Sequence, residues 1–151
     1  MNNAQFNEQM RERTLKISVD IHDLFIGKNV PAITRPSVNQ VIRSSSSVAA
    51  NYRAATRSRS NAEFLSKICI VVEEADETQF WLEYLLRVGV IEASETKALR
   101  SEIEQLVRLF TSIKKTMQGK VKDGKQTARC EVQELTPCSL RFTHAGLIVL
   151  Y

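Results

Sequence analysis

Apolar residues recur at helical spacing in four long segments of this chain, and this periodicity constrains the fold more than any other feature. Within each segment they lie three or four residues apart, which places them on one face of an α-helix. Only five glycines and three prolines interrupt the 151 residues, and so few breaks favour long helices over many short strands. The predicted helices span about residues 4–26, 37–58, 61–87 and 94–118. Four amphipathic helices with short connections pack best against each other, so we predict an all-α, antiparallel up-and-down four-helix bundle.

Glycines mark three of the predicted helix ends. Gly27, Gly89 and Gly119 follow the first, third and fourth segments. Glycine enters the left-handed backbone conformation without a steric penalty, and helices commonly end on such a residue.

Hydroxyl side chains mark the predicted helix starts. Ser37 with Gln40, and Ser60 with Glu63, have the spacing of a capping box and are expected to open the second and third helices. Ser94 is the expected N-cap of the fourth helix.

The last part of the chain has a different character. Lys120, Lys122, Lys125 and Arg129 form a basic start, and the residues after them show no helical period. We therefore predict two parts, a bundle over residues 1–119 and, over 120–151, a basic linker with an irregular C-terminal appendage.

Cysteine usage and hydropathy predict a soluble cytoplasmic protein. Cys69, Cys130 and Cys138 are odd in number and lack C-x-x-C spacing, which suits a reducing compartment and excludes a disulfide framework. The polar N-terminal residues have no apolar region of the kind found in secretory signals. The longest apolar run, residues 147–151, is far shorter than the roughly 20 residues of a membrane helix.

Charge is segregated along the chain. No acidic residue occurs between Asp23 and Glu63, although six basic residues do. In the second helix the arginines project opposite the apolar stripe, with serines and alanines between them, so that a phosphate backbone or another helix can approach closely. We predict nucleic-acid binding by two basic groups, namely Arg43, Arg53, Arg57 and Arg59, and Lys114, Lys115, Lys120 and Lys122. The alternatives are a merely solvated basic face, or arginines that pair with Glu73, Glu77 or Glu83 of a neighbouring subunit.

The third helix carries three large aromatic residues outside its apolar stripe. Phe80, Trp81 and Tyr84 lie near Glu73 and Glu77, and aromatic rings with a charged rim are typical of protein–protein interfaces. Because a basic face and an acidic–aromatic face on different helices suit head-to-tail contacts, we predict a cyclic homo-oligomer with these five residues in its interface. The alternative is that the rings pack against the loop after Gly27 or against the tail.

No set of residues predicts catalysis or a cofactor. Glu73-Glu74-x-x-Glu77 is half of the paired carboxylate motif with which all-α nucleotide pyrophosphatases hold magnesium, and the second half is missing. His22 and His144 are isolated. The serine run from Ser44 to Ser47 lacks a nucleophile elbow and is expected to permit close helix packing. A magnesium-dependent enzyme is therefore the third and weakest reading.

A family resemblance is carried by residues 40–84. They contain Arg43-Ser44, Ser47-Val48-x-x-Asn51, an arginine at 57 or 59 before Glu63-Phe64, the block EEADE, and Trp81-Leu82-Glu83. Over about residues 5–118 the chain resembles the bacterial four-helix-bundle family first noticed as reading frames inside intervening sequences of 23S ribosomal RNA genes.

The resemblance implies an antiparallel bundle, a ring-shaped homopentamer and no enzymatic activity. Related proteins include the accessory variability factor of diversity-generating retroelements, a basic pentamer that binds nucleic acid and a reverse transcriptase. The commonest family form has Glu-Gly shortly after the asparagine, where this chain has Tyr52, Arg53, Ala54 and Ala55, so any role of that pair is not carried over.

The leading hypothesis from the sequence is a non-enzymatic, homo-oligomeric scaffold that binds RNA or DNA. Its expected partners are further copies of itself, nucleic acid and, by resemblance, a reverse transcriptase. The main alternative is a purely structural interaction module that does not bind nucleic acid.

Overall fold

Four helices form an antiparallel bundle, as the sequence predicts. The computed structural model describes residues 3–123, with side chains as far as residue 121. The helices are α1 (Asn3–Phe25), α2 (Arg35–Ala55), α3 (Asn61–Arg87) and α4 (Ala93–Asp123), with a 3₁₀ turn (Ala32–Thr34) before α2. Helix α2 packs between α1 and α3, and α4 packs against α3 and α1. The described range contains no β-strand, and none of its helices is long and apolar enough to cross a membrane. The predicted irregular tail falls at 124–151, outside this range.

The start of α3 and the ends of α1 and α3 confirm the predicted signals. Ser60 Oγ accepts a hydrogen bond from Glu63 N at 3.1 Å, and the Glu63 carboxylate accepts one from Arg59 N at 2.9 Å. Gly27 and Gly89 have φ angles of 74° and 73°, which is the left-handed conformation.

Two predicted helix starts differ from the structure. Helix α2 begins at Arg35, two residues before Ser37. Pro36 fits the first turn because N–H groups there have no partner within the helix, so the missing N–H of proline costs no hydrogen bond. Helix α4 begins one residue before Ser94, with the Glu95 carboxylate accepting a hydrogen bond from Glu92 N at 3.0 Å.

Two predicted helix ends also differ. Helix α2 ends at Ala55, earlier than the predicted residue 58. Gly119 does not end α4, which continues to Asp123 because Val121 is 6% exposed and packs on Leu65 and Cys69 of α3. The division into a bundle and an appendage at residue 119 stays a prediction.

The core lies between the four helices and includes a pair of aromatic rings. The rings of Tyr52 and Phe110 are 5.2 Å apart, and these residues are 1% and 0% exposed. Tyr52 Oη donates a hydrogen bond to Asn7 Oδ1 at 3.3 Å. Burial raises the pKa of Tyr52 from 10.0 to about 12, against a smaller lowering by the Arg11 charge.

Small polar residues bring α2 and α3 close together, as the serine run predicts. Ser44 and Ser45 are buried. Ser44 Oγ lies 2.9 Å from Thr78 Oγ1, which also lies 2.7 Å from the carbonyl oxygen of Glu74. The two helices are therefore held in one register by buried hydroxyl groups, and this register fixes which surface residues of α2 and α3 meet.

Candidate nucleic-acid interface

Six predicted cationic side chains gather at one end of the bundle. Helix α2 ends and α3 begins there, and the last turns of α4 reach the same end because Val121 packs on Leu65 and Cys69. The end is formed by Arg53, Arg57, Arg59, Lys114, Lys115 and Lys120, and is called the basic end below. Lys122 belongs to α4 as well, but its side chain lies outside the described residues.

The side chains of the basic end have no carboxylate partner among the described side chains. Within residues 3–121, none of the six takes part in an ion pair. Of the nearby carboxylates, Glu63 caps α3 and Glu8 pairs with Arg11 at 3.2 Å. Unpaired guanidinium and ammonium groups at one end produce a local positive potential of the kind that phosphates neutralise.

Arg43 has a different role from the other predicted arginines. Its guanidinium Nη2 donates to Glu77 Oε1 and Oε2 at 2.8 and 3.0 Å, and its Nε donates to Gln40 at 2.9 Å. The antiparallel packing of α2 and α3 places Arg43 beside Glu77 of its own chain. Arg43 is thus separated from the basic end, and its carboxylate partner comes from the same subunit.

Glu77 also fixes one ring of the predicted interface. Its Oε1 accepts a hydrogen bond from Trp81 Nε1 at 3.1 Å. Trp81 is partly buried and packs against the core, so it is held on one side by apolar side chains and on the other by the carboxylate.

Phe80 and Tyr84 remain uncovered on the outer face of α3. They are 57% and 39% exposed. Their centroids lie 5.0 and 5.6 Å from that of Trp81, and the three rings are called the aromatic patch below. The loop after Gly27 does not bury these two rings, and the tail lies outside the described residues. Large apolar side chains left together in water are typical of a surface that another molecule covers.

Acidic side chains border the aromatic patch. Glu73 and Asp76 are exposed and make no ion pair within residues 3–121. They lie seven and four residues before Phe80, so all three share one face of α3. Glu83, the third predicted acceptor of a neighbour's arginine, pairs with Arg87 of its own helix.

A groove between α1 and α2 was not predicted from the sequence. It encloses about 320 Å³, and its lining includes Leu15, Ser18, Ser46, Ala49 and Ala50. Glu8, Arg11, Glu12 and Arg53 complete the lining. The small residues of α2 leave this space open, Leu15 forms its apolar wall, and the exposed Val19 lies one turn further along α1. The one sequence signal was that these two residues lie off the apolar stripe of their helix.

Comparison with known proteins identifies the family. The family described as 23S rRNA-intervening sequence protein matches residues 7–112. The chain belongs to this family. The predicted resemblance is therefore confirmed, over nearly the range expected from the sequence.

A solved structure supports the same assignment. The chain is similar to a protein of unknown function from the S23 ribosomal protein family of Bacteroides thetaiotaomicron, with 28% identity and a TM-score of 0.62. The match covers 70% of this chain and 97% of the other. A search of curated proteins finds no match.

Most residues of the three candidate surfaces lie within the region that the family model matches. The aromatic patch, the groove and the three arginines of the basic end lie within residues 7–112, whereas the lysines of α4 lie after it.

The carboxylates of the predicted half-motif for magnesium are directed to other partners. Glu77 binds Arg43 and Trp81, and Glu74 Oε1 lies 3.7 Å from Arg43 Nη1. Within the part of the chain that the structure describes, no three His, Cys, Asp or Glu side chains are grouped as metal ligands would be. The geometry here is that of a surface network of charges.

Proposed function

We propose that this protein is a non-enzymatic, homo-oligomeric scaffold that binds nucleic acid, with RNA as the preferred form, through its basic end. The observation that carries the binding half is that six cationic side chains, none of them in an ion pair within residues 3–121, lie at the end of the bundle where α2 ends, α3 begins and α4 ends. The observation that supports assembly is the exposure of Phe80 and Tyr84. The resemblance adds a ring of five subunits as the expected form, and a reverse transcriptase as a protein partner.

Nucleic-acid binding of this kind is dominated by phosphate contacts. Each neutralised phosphate releases counterions, so the logarithm of the affinity falls by about 0.9 for each contact and each decade of salt on a duplex, and by about 0.7 on a single strand. The arrangement has no built pocket for one base, and we therefore expect weak sequence preference.

The experiment compares two variants that remove the same charge from opposite ends of the bundle. Arg57→Gln with Arg59→Gln changes the basic end, and Lys97→Gln with Arg100→Gln changes exposed residues near the start of α4. Binding of a labelled structured RNA is followed by fluorescence anisotropy in rising salt. Removing two phosphate contacts should flatten the salt slope of the first variant by about 1.4 to 1.8 log units per decade, and the control should keep the wild-type slope.

Equal slopes for the two variants would show that only net charge matters and would overturn the assignment of the basic end. A competing DNA of the same sequence decides whether RNA is preferred. The native mass of each variant, measured alongside, ensures that a loss of binding is not a loss of assembly.

The second candidate is a purely structural interaction module, in which the arginines pair with carboxylates of a neighbouring subunit. The Arg43–Glu77 pair lies within one chain, and it supports this candidate only because it uses one predicted arginine on a carboxylate. A wild-type protein that assembles but does not bind RNA or DNA at low salt would establish this alternative. A magnesium-dependent nucleotide pyrophosphatase is a third candidate, and it is disfavoured because Arg43 occupies Glu77.

A further inference from the structure

The aromatic patch and the α1–α2 groove lie on opposite flanks of the same helix. Helix α2 has α3, which carries the patch, on one side and α1, which forms the groove, on the other. One copy cannot place its own patch in its own groove, because α2 stands between them. The patch and the groove can therefore meet only when they belong to different copies, and such a contact is head to tail.

The shapes of the two surfaces are complementary. Phe80 projects from α3 with more than half of its surface exposed, next to Tyr84 and the edge of Trp81. The groove has a floor of Ser46, Ala49 and Ala50, and its volume of about 320 Å³ has room for a large side chain. Small floor residues allow an aromatic ring to approach the backbone of α2, where it removes about 150–250 Å² of apolar surface from water.

One arginine of the groove is available to the acidic residues beside the patch. Glu73 and Asp76 make no ion pair within residues 3–121, and neither does Arg53 at the groove. Glu8 and Glu12 also line the groove, and Glu8 pairs with Arg11, so the contact requires Glu12 to lie away from Glu73 and Asp76. Arg11 pairs with Glu8 through one nitrogen, but its buried Nε has no hydrogen-bond acceptor within the described residues. An unmet donor in the wall of an open groove is typical of a site whose acceptor comes from another molecule.

We propose that the α1–α2 groove of one copy receives the aromatic patch of the next copy, with Phe80 inserted above Ala50 and Glu73 and Asp76 directed towards Arg11 and Arg53. This inference rests on the assembly half of the proposed function and deepens it by naming the two contacting surfaces. It also divides the arginines, since Arg53 belongs to the contact between copies while Arg57 and Arg59 stay available to nucleic acid.

In a head-to-tail contact the two surfaces come from different copies. A variant that has lost its patch and a variant that has lost its groove should therefore form one intact contact when they are mixed. The patch variant is Phe80→Ser with Tyr84→Ser, which keeps the groove. The groove variant is Ala50→Glu, which keeps the patch while it fills the floor and repels the acidic residues beside Phe80. All three positions are exposed, so both variants are expected to fold.

Native mass spectrometry and light scattering measure the outcome on the full chain. Wild type should be an oligomer, each variant alone a monomer, and an equal mixture of the two a heterodimer that cannot grow further. Trp81 is the only tryptophan, and its emission should shift to shorter wavelength when the heterodimer forms, since the patch of the groove variant is then covered.

Ala54→Glu is the matched control, because it adds the same charge four residues along α2 at an exposed position that does not line the groove. This control should keep the wild-type mass. If Ala50→Glu also keeps it, or if both glutamate variants lose it equally, the groove is not the receiving site and the inference is wrong.

Three further outcomes separate this inference from the proposed function. Variants that are both monomeric but do not combine would show that the patch does not enter the groove, which overturns the inference and leaves assembly intact. A monomeric patch variant beside a groove variant that keeps the wild-type mass would instead indicate a symmetric contact of patch with patch, which also overturns the inference. A monomeric wild type at micromolar concentration would instead overturn assembly itself.

Discussion

The described residues contain two aromatic clusters in opposite surroundings. The Tyr52–Phe110 pair sits between α2 and α4 with almost no exposed surface, and the patch of Phe80, Trp81 and Tyr84 lies open on α3. The first cluster is explained by the folding of one chain, because its burial removes apolar surface from water. The second gains little from the folding of residues 3–121, so under the proposed assembly we expect another copy to cover it. Three predictions test this difference.

The largest expected effect is on stability. Phe110→Ala should lower the free energy of unfolding by about 3–5 kcal/mol, since it removes a fully buried ring and leaves a cavity. Phe80→Ala should change it by no more than about 0.5 kcal/mol, because the side chain is mostly in water. Urea unfolding followed by circular dichroism, at a concentration low enough to avoid assembly, measures both. Similar losses would remove the distinction between the clusters.

The second prediction compares the tyrosines of the two clusters at high pH. The folded protein keeps the proton of Tyr52 up to a pKa of about 12, whereas the unfolded chain releases it near 10.0. The pKa shift of Tyr52 therefore contributes its full stabilisation of the folded state below pH 10, and this contribution is lost as the pH rises through 12. By linkage, the contribution to the free energy of unfolding is at most about 3 kcal/mol.

Unfolding measured from pH 8 to pH 12 should show this loss in wild type and in Tyr84→Phe, but not in Tyr52→Phe. The titration of lysines is common to all three proteins and cancels in the comparison. A wild-type pH profile that matches that of Tyr52→Phe would mean that the hydroxyl of Tyr52 reaches water.

The smallest expected effect concerns the carboxylate that links Arg43 to the patch. Glu77→Gln should cost at most about 1 kcal/mol, because the pair with Arg43 is largely exposed. It should nevertheless alter the emission of Trp81, whose Nε1 loses a charged acceptor. Glu83→Gln removes the Arg87 pair on the same helix and should leave the emission unchanged. Identical spectra for the two variants would contradict the role of Glu77.

The sequence predicted the helices well because each depends on interactions within a few residues. The bounds of α3 agree with the expected 61–87, since Ser60 and Gly89 are local signals that need no tertiary partner. The prediction from the sequence failed at Gly119. There a local signal to end the helix is outweighed by the burial of Val121 against α3. It also placed Arg43 with the nucleic-acid residues, since a wheel projection does not show that Glu77 lies beside it.

By itself, then, the sequence determined four amphipathic helices, their order, the family and the residues that carry charge or rings on outer faces. Only the tertiary structure decided how those faces meet. It packed the end of α4 on the first turns of α3, joined Arg43 to Glu77, left Phe80 exposed among the described residues and formed a groove over Ala50. The physical reason is the distance along the chain over which each interaction acts. Helix periodicity and capping act over a few residues, so they can be read from the sequence. The register between helices is fixed by side-chain packing and buried hydroxyl contacts between residues far apart in the chain.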